Sequence, residues 1–278
     1  MLIVLLLLLL GFGTTYFFLR GKVSNHRPET YPNATNRAKI DTAKKVIVCF
    51  GDSNTHGNVS YNWVADLSNE LPDYQVLNAG INADMTYTLL GRIEDVIACK
   101  PDFISILIGT NDINFTTGKA REKHYYELHK IDKSLRADFA GFQKNMTDIV
   151  ETLKAKTNAK IALSSLPVMG EDLSHPINQK VSQYNDFIKQ LAERQGLSYL
   201  PFYEKQVELL DKTSKKSKYP FEKSFLLMNF SVFSHFIFGR NWDQVSAAVG
   251  NQLSPDHIHQ NSIAGGMIKN LVKDFVDK

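Results

Sequence analysis

Cysteine is almost absent: the 278 residues hold two, Cys49 and Cys99. Two such residues make no disulfide framework and leave the redox compartment open. Both lie in apolar stretches and read as small buried side chains, one in a strand and one near the end of a helix. Internal repeats are missing as well, which excludes solenoids and arrays. The first nineteen residues have no charged side chain, and Leu2 to Leu10 is wholly aliphatic. As a helix they would span about 28 Å at ~1.5 Å per residue, close to the ~30 Å core of a bilayer. A secretory signal would need a basic start and a small-x-small cleavage site. The first is missing, and Gly11-Phe12-Gly13 is a poor version of the second. Residues 1–19 are therefore expected to form an uncleaved, single-pass transmembrane helix. Cleavage would instead give a secreted or periplasmic protein.

Positive charge is concentrated rather than general. Residues 20–45 carry Arg20, Lys22, Arg27, Arg37, Lys39, Lys44 and Lys45 against Glu29 and Asp41, a local net of +5. The whole chain has +3, so the remainder is −2. Such a balance gives no electrostatic footprint for nucleic acid. Residues 20–44 read as a basic juxtamembrane linker, a solvated tether containing Pro28 and Pro32. Loop-charge asymmetry and headgroup attraction both account for its lysines and arginines, so the side of the membrane stays open.

From Lys45 to Lys278 about 234 residues remain, enough for one domain with a substantial core. Apolar runs at Val46 to Phe50, Gln75 to Asn78, Phe103 to Ile108, Ile161 to Leu163 and Tyr199 to Phe202 read as strands. Between them, three stripes recur at helical spacing. They are Leu89, Leu90, Ile93, Val96 and Ile97; Phe139, Phe142, Met146, Ile149 and Leu153; and Ile177, Val181, Tyr184, Ile188 and Leu191. Such alternation predicts right-handed crossovers and a parallel sheet sandwiched by helices.

Chemistry-bearing residues gather at the ends of these runs. Gly51-Asp52-Ser53-Asn54-Thr55-His56-Gly57 follows the first strand and sets a serine at the sheet's carboxyl edge, where open α/β folds keep their ligands. The second strand ends in Asn78-Ala79-Gly80 and the third in Gly109-Thr110-Asn111-Asp112. Near the C-terminus, Asp256 and His259 are separated by a spacing that lets a turn bring the carboxylate to the imidazole.

These four segments, in this order over nearly the whole domain, resemble the SGNH, or GDSL-type, hydrolase superfamily. The matching blocks are Gly51 to Gly57, Gly80, Gly109 to Asp112, and Asp256 to His259. The resemblance implies a three-layer α/β/α, flavodoxin-like domain with a central five-stranded parallel sheet. It also implies acyl transfer to water through an acyl-serine. Ser53 would be the nucleophile, His259 the general base and then acid, and Asp256 the residue that orients the imidazole. The amides of Ser53 and Gly80 and the side chain of Asn111 would form the oxyanion hole, with no metal or cofactor. The Gly-x-Ser-x-Gly elbow of α/β-hydrolases fits less well, because Thr55 stands where its second glycine belongs. His56 and His257 are expected at the surface or behind the site. Asp52 and Asp112 are expected to brace their loops, since nothing in the sequence suggests raised pKa values.

Some fifty residues separate the last strand from Asp256. After a basic stretch, Lys212 to Lys218, they become strongly aromatic, with Phe221, Phe225, Phe230, Phe233, Phe236 and Phe238. The insert, about 212–245, is expected to be a pair of extra helices on the domain, a wall or lid beside the site, or a segment dipping into the bilayer interface. The expected substrate is a lipid or acylated-carbohydrate ester. An O-acyltransferase and a non-catalytic, membrane-anchored ester or glycan binder are the alternatives.

Overall fold

Within β1, Lys45–Gly51, every residue after Lys45 is buried, and the alternation of a strand explains why none is polar. Val46, Val48 and Phe50 point into one apolar cluster, and Ile47 and Cys49 into another on the opposite face. The sheet is thus covered on both sides. This computed structural model describes residues 18–23, 27–212 and 217–277. β2 (Tyr74–Gly80), β3 (Phe103–Leu107), β4 (Lys160–Ser164) and β5 (Ser198–Leu200) complete a five-stranded, all-parallel sheet in the order β2-β1-β3-β4-β5.

Helices connect the strands and cover both faces of the sheet. The first seven are α1 (Ala34–Arg37), α2 (Ser53–His56), α3 (Trp63–Glu70), α4 (Thr86–Gly91), α5 (Ile93–Ile97), α6 (Thr110–Phe115) and α7 (Lys119–Glu127). The rest are α8 (Phe139–Lys156), α9 (Pro176–Gln195), α10 (Phe202–Asp211), α11 (Ser224–Phe238), α12 (Trp242–Val249) and α13 (Ser262–Val276). Helices α4, α5, α8 and α9 pack on one face through Leu89, Val96, Phe142, Ile149 and Tyr184. Helices α3, α10 and α13 cover the other through Trp63, Leu67, Phe202, Ile268 and Phe275. This is the expected three-layer α/β/α arrangement. Because β2 and β3 flank β1, crossovers leave β1 and β3 towards opposite faces and open a crevice at their carboxyl ends.

The structure departs from sequence expectation in several places. The apolar stripe from Leu89 to Ile97 is two short helices, interrupted at Arg92. That side chain is instead spent on the sheet edge, reaching Asp84 Oδ2, the Ala79 carbonyl and the Gly51 carbonyl at 2.7, 2.8 and 2.9 Å. The last strand stops at Leu200, because Pro201 has no N–H for the ladder and precedes α10, which Phe202 opens. Part of the supposed tether is docked rather than solvated. Tyr31 is fully buried and donates its hydroxyl to Asp95 Oδ2 at 2.8 Å, and Arg37 reaches Asp95 Oδ1 at 3.3 Å. Cys49 and Cys99 are buried and unpaired, as their apolar settings suggest. The expected membrane-spanning helix lies almost entirely outside the described residues. Among those described, no helix is long and apolar enough to cross a membrane.

Candidate active site

Helix α2 is a single turn that begins on Ser53 directly after β1. Asp52 caps it, its Oδ1 accepting the Asn54 amide at 2.9 Å, and Gly57 ends it with φ 82. Two glycines let this turn sit on the sheet edge. A Cβ on Gly51 would lie 2.3 Å from Thr55 Oγ1 and 2.4 Å from the Leu107 carbonyl oxygen, and one on Gly80 would lie 2.2 Å from the His56 amide nitrogen. The serine's position is fixed further by Ser60 Oγ, which donates to the Ser53 carbonyl at 2.9 Å, and by Trp63 Nε1, which donates to the Asn54 carbonyl at 2.8 Å. As the first residue of the turn, Ser53 has an amide with no acceptor inside the helix.

The C-terminal segment folds back onto this point. Asp256 Oδ1 accepts the amides of Ile258 and His259 at 3.0 and 2.8 Å, while its Oδ2 accepts His259 Nδ1–H at 2.7 Å. That leaves His259 Nε2 as an acceptor 3.0 Å from Ser53 Oγ. All three side chains are buried. Burial by itself would push the Asp256 carboxyl up, but the imidazole and the two amides outweigh it and hold the pKa below the ordinary carboxylate range. Burial likewise works against charge on His259, and the neighbouring Asp256 outweighs it, so the imidazole pKa is raised.

The third side is built by Asn111, at the start of α6. Its Oδ1 accepts the Tyr125 hydroxyl at 2.6 Å, and Tyr125 in turn accepts from Asn114 Nδ2 at 3.0 Å. The Asn111 Nδ2 then faces the Asp84 carbonyl at 2.9 Å and Asp52 Oδ2 at 3.4 Å. Asp84 is itself clamped between Arg92 and Lys130, each 2.7 Å away. The Gly80 amide points elsewhere, donating to Asn78 Oδ1 at 2.9 Å, and the glycine serves the close approach of α2 described above. Three residues on, Ala83 adopts φ 59, in the left-handed region. Its amide has no acceptor among the described residues.

Asp52 and Asp112 do brace their loops, Asp112 accepting from the Thr86 amide and hydroxyl. Their pKa values are nevertheless raised, chiefly by burial, to about 7 for Asp52 and about 6 for Asp112. His56 and His257 are buried rather than at the surface. His257 holds φ 75, donates Nε2–H to the Tyr219 carbonyl at 3.0 Å and packs on Phe221. Burial lowers its pKa.

Sequence reading missed Tyr125 and Glu171. Glu171 gathers the amides of Gln252, Leu253 and Ser254 on Oε1 at 2.9, 2.7 and 3.2 Å, just ahead of the turn that carries Asp256. No local pattern marks either residue, because the partners lie 14 positions away for Tyr125 and 81 to 83 for Glu171. The insert forms a short 3-10 turn followed by α11 and α12. It braces the same turn, Ser231 Oγ donating to the Pro255 carbonyl at 2.9 Å.

A serine hydroxyl, an imidazole and a carboxylate in one hydrogen-bonded chain, at the carboxyl edge of a flavodoxin-like sheet, define a hydrolase of the serine class. The family profile described as GDSL-like lipase/acylhydrolase matches residues 49–221. The chain belongs to that family, within the SGNH/GDSL superfamily, and is a carboxylic ester hydrolase. The matched stretch contains Ser53, Gly80 and Asn111 and ends before Asp256. The chain is 28% identical over 169 residues to an acetylxylan esterase of Geobacillus stearothermophilus, an alignment covering 60% of this chain and 69% of that protein. To an acetylxylan esterase of Xylanibacter ruminicola it is 27% identical over 192 residues, covering 64% of this chain but only 40% of that longer protein. Among solved structures, the acetylxylan esterase Axe2 of Geobacillus stearothermophilus matches with a TM-score of 0.57 at 20% identity, over 84% of this chain and 95% of that one. The acetylxylan esterase AlAXEase matches with a TM-score of 0.56 at 17% identity, over 83% and 99%. At such identities these structures speak to the fold.

Proposed function

We propose that the protein removes short acyl groups, acetyl foremost, from carbohydrate esters through an acyl-Ser53 intermediate. The observation that carries this reading is the unbroken chain Ser53 Oγ, His259 Nε2, His259 Nδ1, Asp256 Oδ2, with links of 3.0 and 2.7 Å. Ser53 Oγ attacks the ester carbonyl as its proton passes to His259 Nε2, and Asp256 stabilises the imidazolium. The tetrahedral intermediate collapses when His259 hands that proton to the departing sugar oxygen. Water then repeats the sequence and frees the acid. Among the oxyanion donors we keep the Ser53 amide and Asn111 Nδ2. We replace Gly80 by the amide of Ala83, because the former is already bonded to Asn78 and the latter has no acceptor among the described residues. Losing one such donor typically costs about 2.7–4 kcal/mol of transition-state stabilisation. The acyl and alcohol preferences are drawn from the two acetylxylan esterase relatives.

In the same reading, residues 1–19 anchor the chain in a membrane, 20–44 connect, and 45–278 form the hydrolase domain. Its support is the uncharged N-terminal stretch. Ser53→Ala should abolish release of acetate from acetylated xylo-oligosaccharides and labelling by a fluorophosphonate, with an unchanged circular dichroism spectrum. Retained activity would end the proposal. Faster turnover of p-nitrophenyl decanoate than of the acetate would end its acyl-chain part.

A further inference from the structure

Helix α11, Ser224–Phe238, is turned inside out. Its buried residues are Ser224, Leu227, Ser231 and Ser234, and two of those serines hold the domain: Ser224 Oγ accepts from Arg121 at 2.8 Å and Ser231 donates to Pro255. Outward it shows Phe225, Leu226, Phe230, Phe233, Ile237 and Phe238, with Leu226 64% and Phe238 65% exposed. A water-facing helix has the opposite distribution, apolar within and polar without. No Asp, Glu, Lys or Arg occurs along its fifteen residues.

The surroundings say what covers this face. Residues 212–240 carry Lys212, Lys215, Lys216, Lys218, Lys223 and Arg240 against Glu222, a local net of +5. With the +5 of residues 20–45, two segments hold all of the positive excess, and the rest of the chain has −7 of the total +3. These two segments meet. Lys22 from the helical residues 18–23 and His235 and Phe236 from α11 line one cavity of about 510 Å³. The Lys22 carbonyl accepts from Asn58 Nδ2 at 3.1 Å and the Val23 carbonyl from Asn82 Nδ2 at 2.8 Å, which pins the exit of the N-terminal segment beside α11. The chain outside the described residues at that end is seventeen residues without a charged side chain.

We infer that the outward face of α11 rests in the interface of an anionic lipid bilayer, next to the point where the N-terminal segment enters it. Aromatic side chains suit that depth, and the flanking lysines suit anionic headgroups. Since Ser231 bonds to Pro255, the docked helix holds the Asp256–His259 turn near the membrane surface. The inference takes the anchor reading of residues 1–19 as its starting point, and the test separates the two.

The test uses the full chain reconstituted into vesicles of phosphatidylcholine and phosphatidylglycerol. Leu226→Trp and Phe238→Trp each place a reporter on the face, with Asn158→Trp, at the opposite edge of the sheet, as control. Expected are a blue shift in the emission added at 226 and 238, quenching by lipids brominated on the acyl chain, and neither at 158. Flotation with vesicles but no quenching at 226 and 238 would leave the anchor standing and overturn the docking of α11. A blue shift without quenching, joined by concentration-dependent cross-linking, would overturn it in favour of a second copy of the chain. Failure to float would overturn both.

Discussion

Tyr125 donates its hydroxyl to Asn111 Oδ1 at 2.6 Å, and this bond decides which end of the Asn111 amide faces Asp52 and Asp84. An amide has one accepting and one donating end. With the oxygen held by Tyr125, and Tyr125 held by Asn114, the Nδ2 group turns the other way, with one hydrogen on the Asp84 carbonyl at 2.9 Å and the second held only at 3.4 Å by Asp52 Oδ2. The phenol is buried behind Asn111 and Asn114, the two side chains it bonds. It acts as a positioning residue, and burial raises its pKa so that it stays protonated and donating.

Tyr125→Phe removes that donor and, with it, the acceptor of Asn114 Nδ2. The expected result is a fall in kcat by about tenfold, the worth of roughly 1–1.5 kcal/mol for one hydrogen bond, with KM nearly unchanged. A loss shared equally by Tm and kcat would mean that the tyrosine serves only packing.

Gly80→Ala tests why a glycine ends β2. The added Cβ would lie 2.2 Å from the His56 amide nitrogen, and backbone cannot yield as a flexible side chain can. Helix α2 must shift away from the sheet, taking Ser53 with it. Both Tm and kcat should fall, the cost being that of an overpacked contact, about 1–3 kcal/mol. If Tm and kcat both hold, the close approach of α2 does not require a glycine at position 80.

Much of this was readable in the sequence, for a physical reason. Strand ends, the serine turn and the Asp256–His259 pair are local features, set by unbroken apolar runs and by short loops that only certain residues allow. Four of the five strands and two of the three helical stripes fall where the apolar pattern puts them, and the fifth strand stops short at Leu200. What escaped was everything fixed by long-range bonds. Nothing near Arg92 says that its guanidinium will close β1 and β2. Nothing near Glu171 says that three distant amides will converge on it. The docking of Tyr31 on Asp95 was hidden by composition, since a charged, proline-bearing stretch reads as tether until one aromatic side chain is seen to be buried. The inverted α11 was visible as aromatic excess, but its polarity could be assigned only once the buried serines were known.

The pH profile follows from His259. Asp256 outweighs burial and raises the imidazole pKa above 6.5, and the base must be neutral to accept the Ser53 proton. The acid limb of kcat/KM should therefore lie above pH 6.5, with activity dropping about tenfold per pH unit below it. A profile that stays level down to pH 4 would remove His259 from the role of base.

Asp52 gives a prediction about stability rather than rate. Its carboxyl is fully buried, and burial lifts its pKa from 3.8 to about 7. The folded protein thus holds this proton over a range where the unfolded chain has lost it. The contribution of Asp52 to stability is fully present below pH 3.8 and is lost as pH rises towards 7, by an amount on the order of 4 kcal/mol for this one group. Asp52→Asn keeps the cap on α2, since asparagine caps as well as aspartate, but cannot ionise. The difference in Tm between variant and wild type should grow in the variant's favour between pH 5 and pH 8. If the two Tm curves run parallel across that range, the Asp52 carboxyl is charged throughout and its surroundings stabilise the anion.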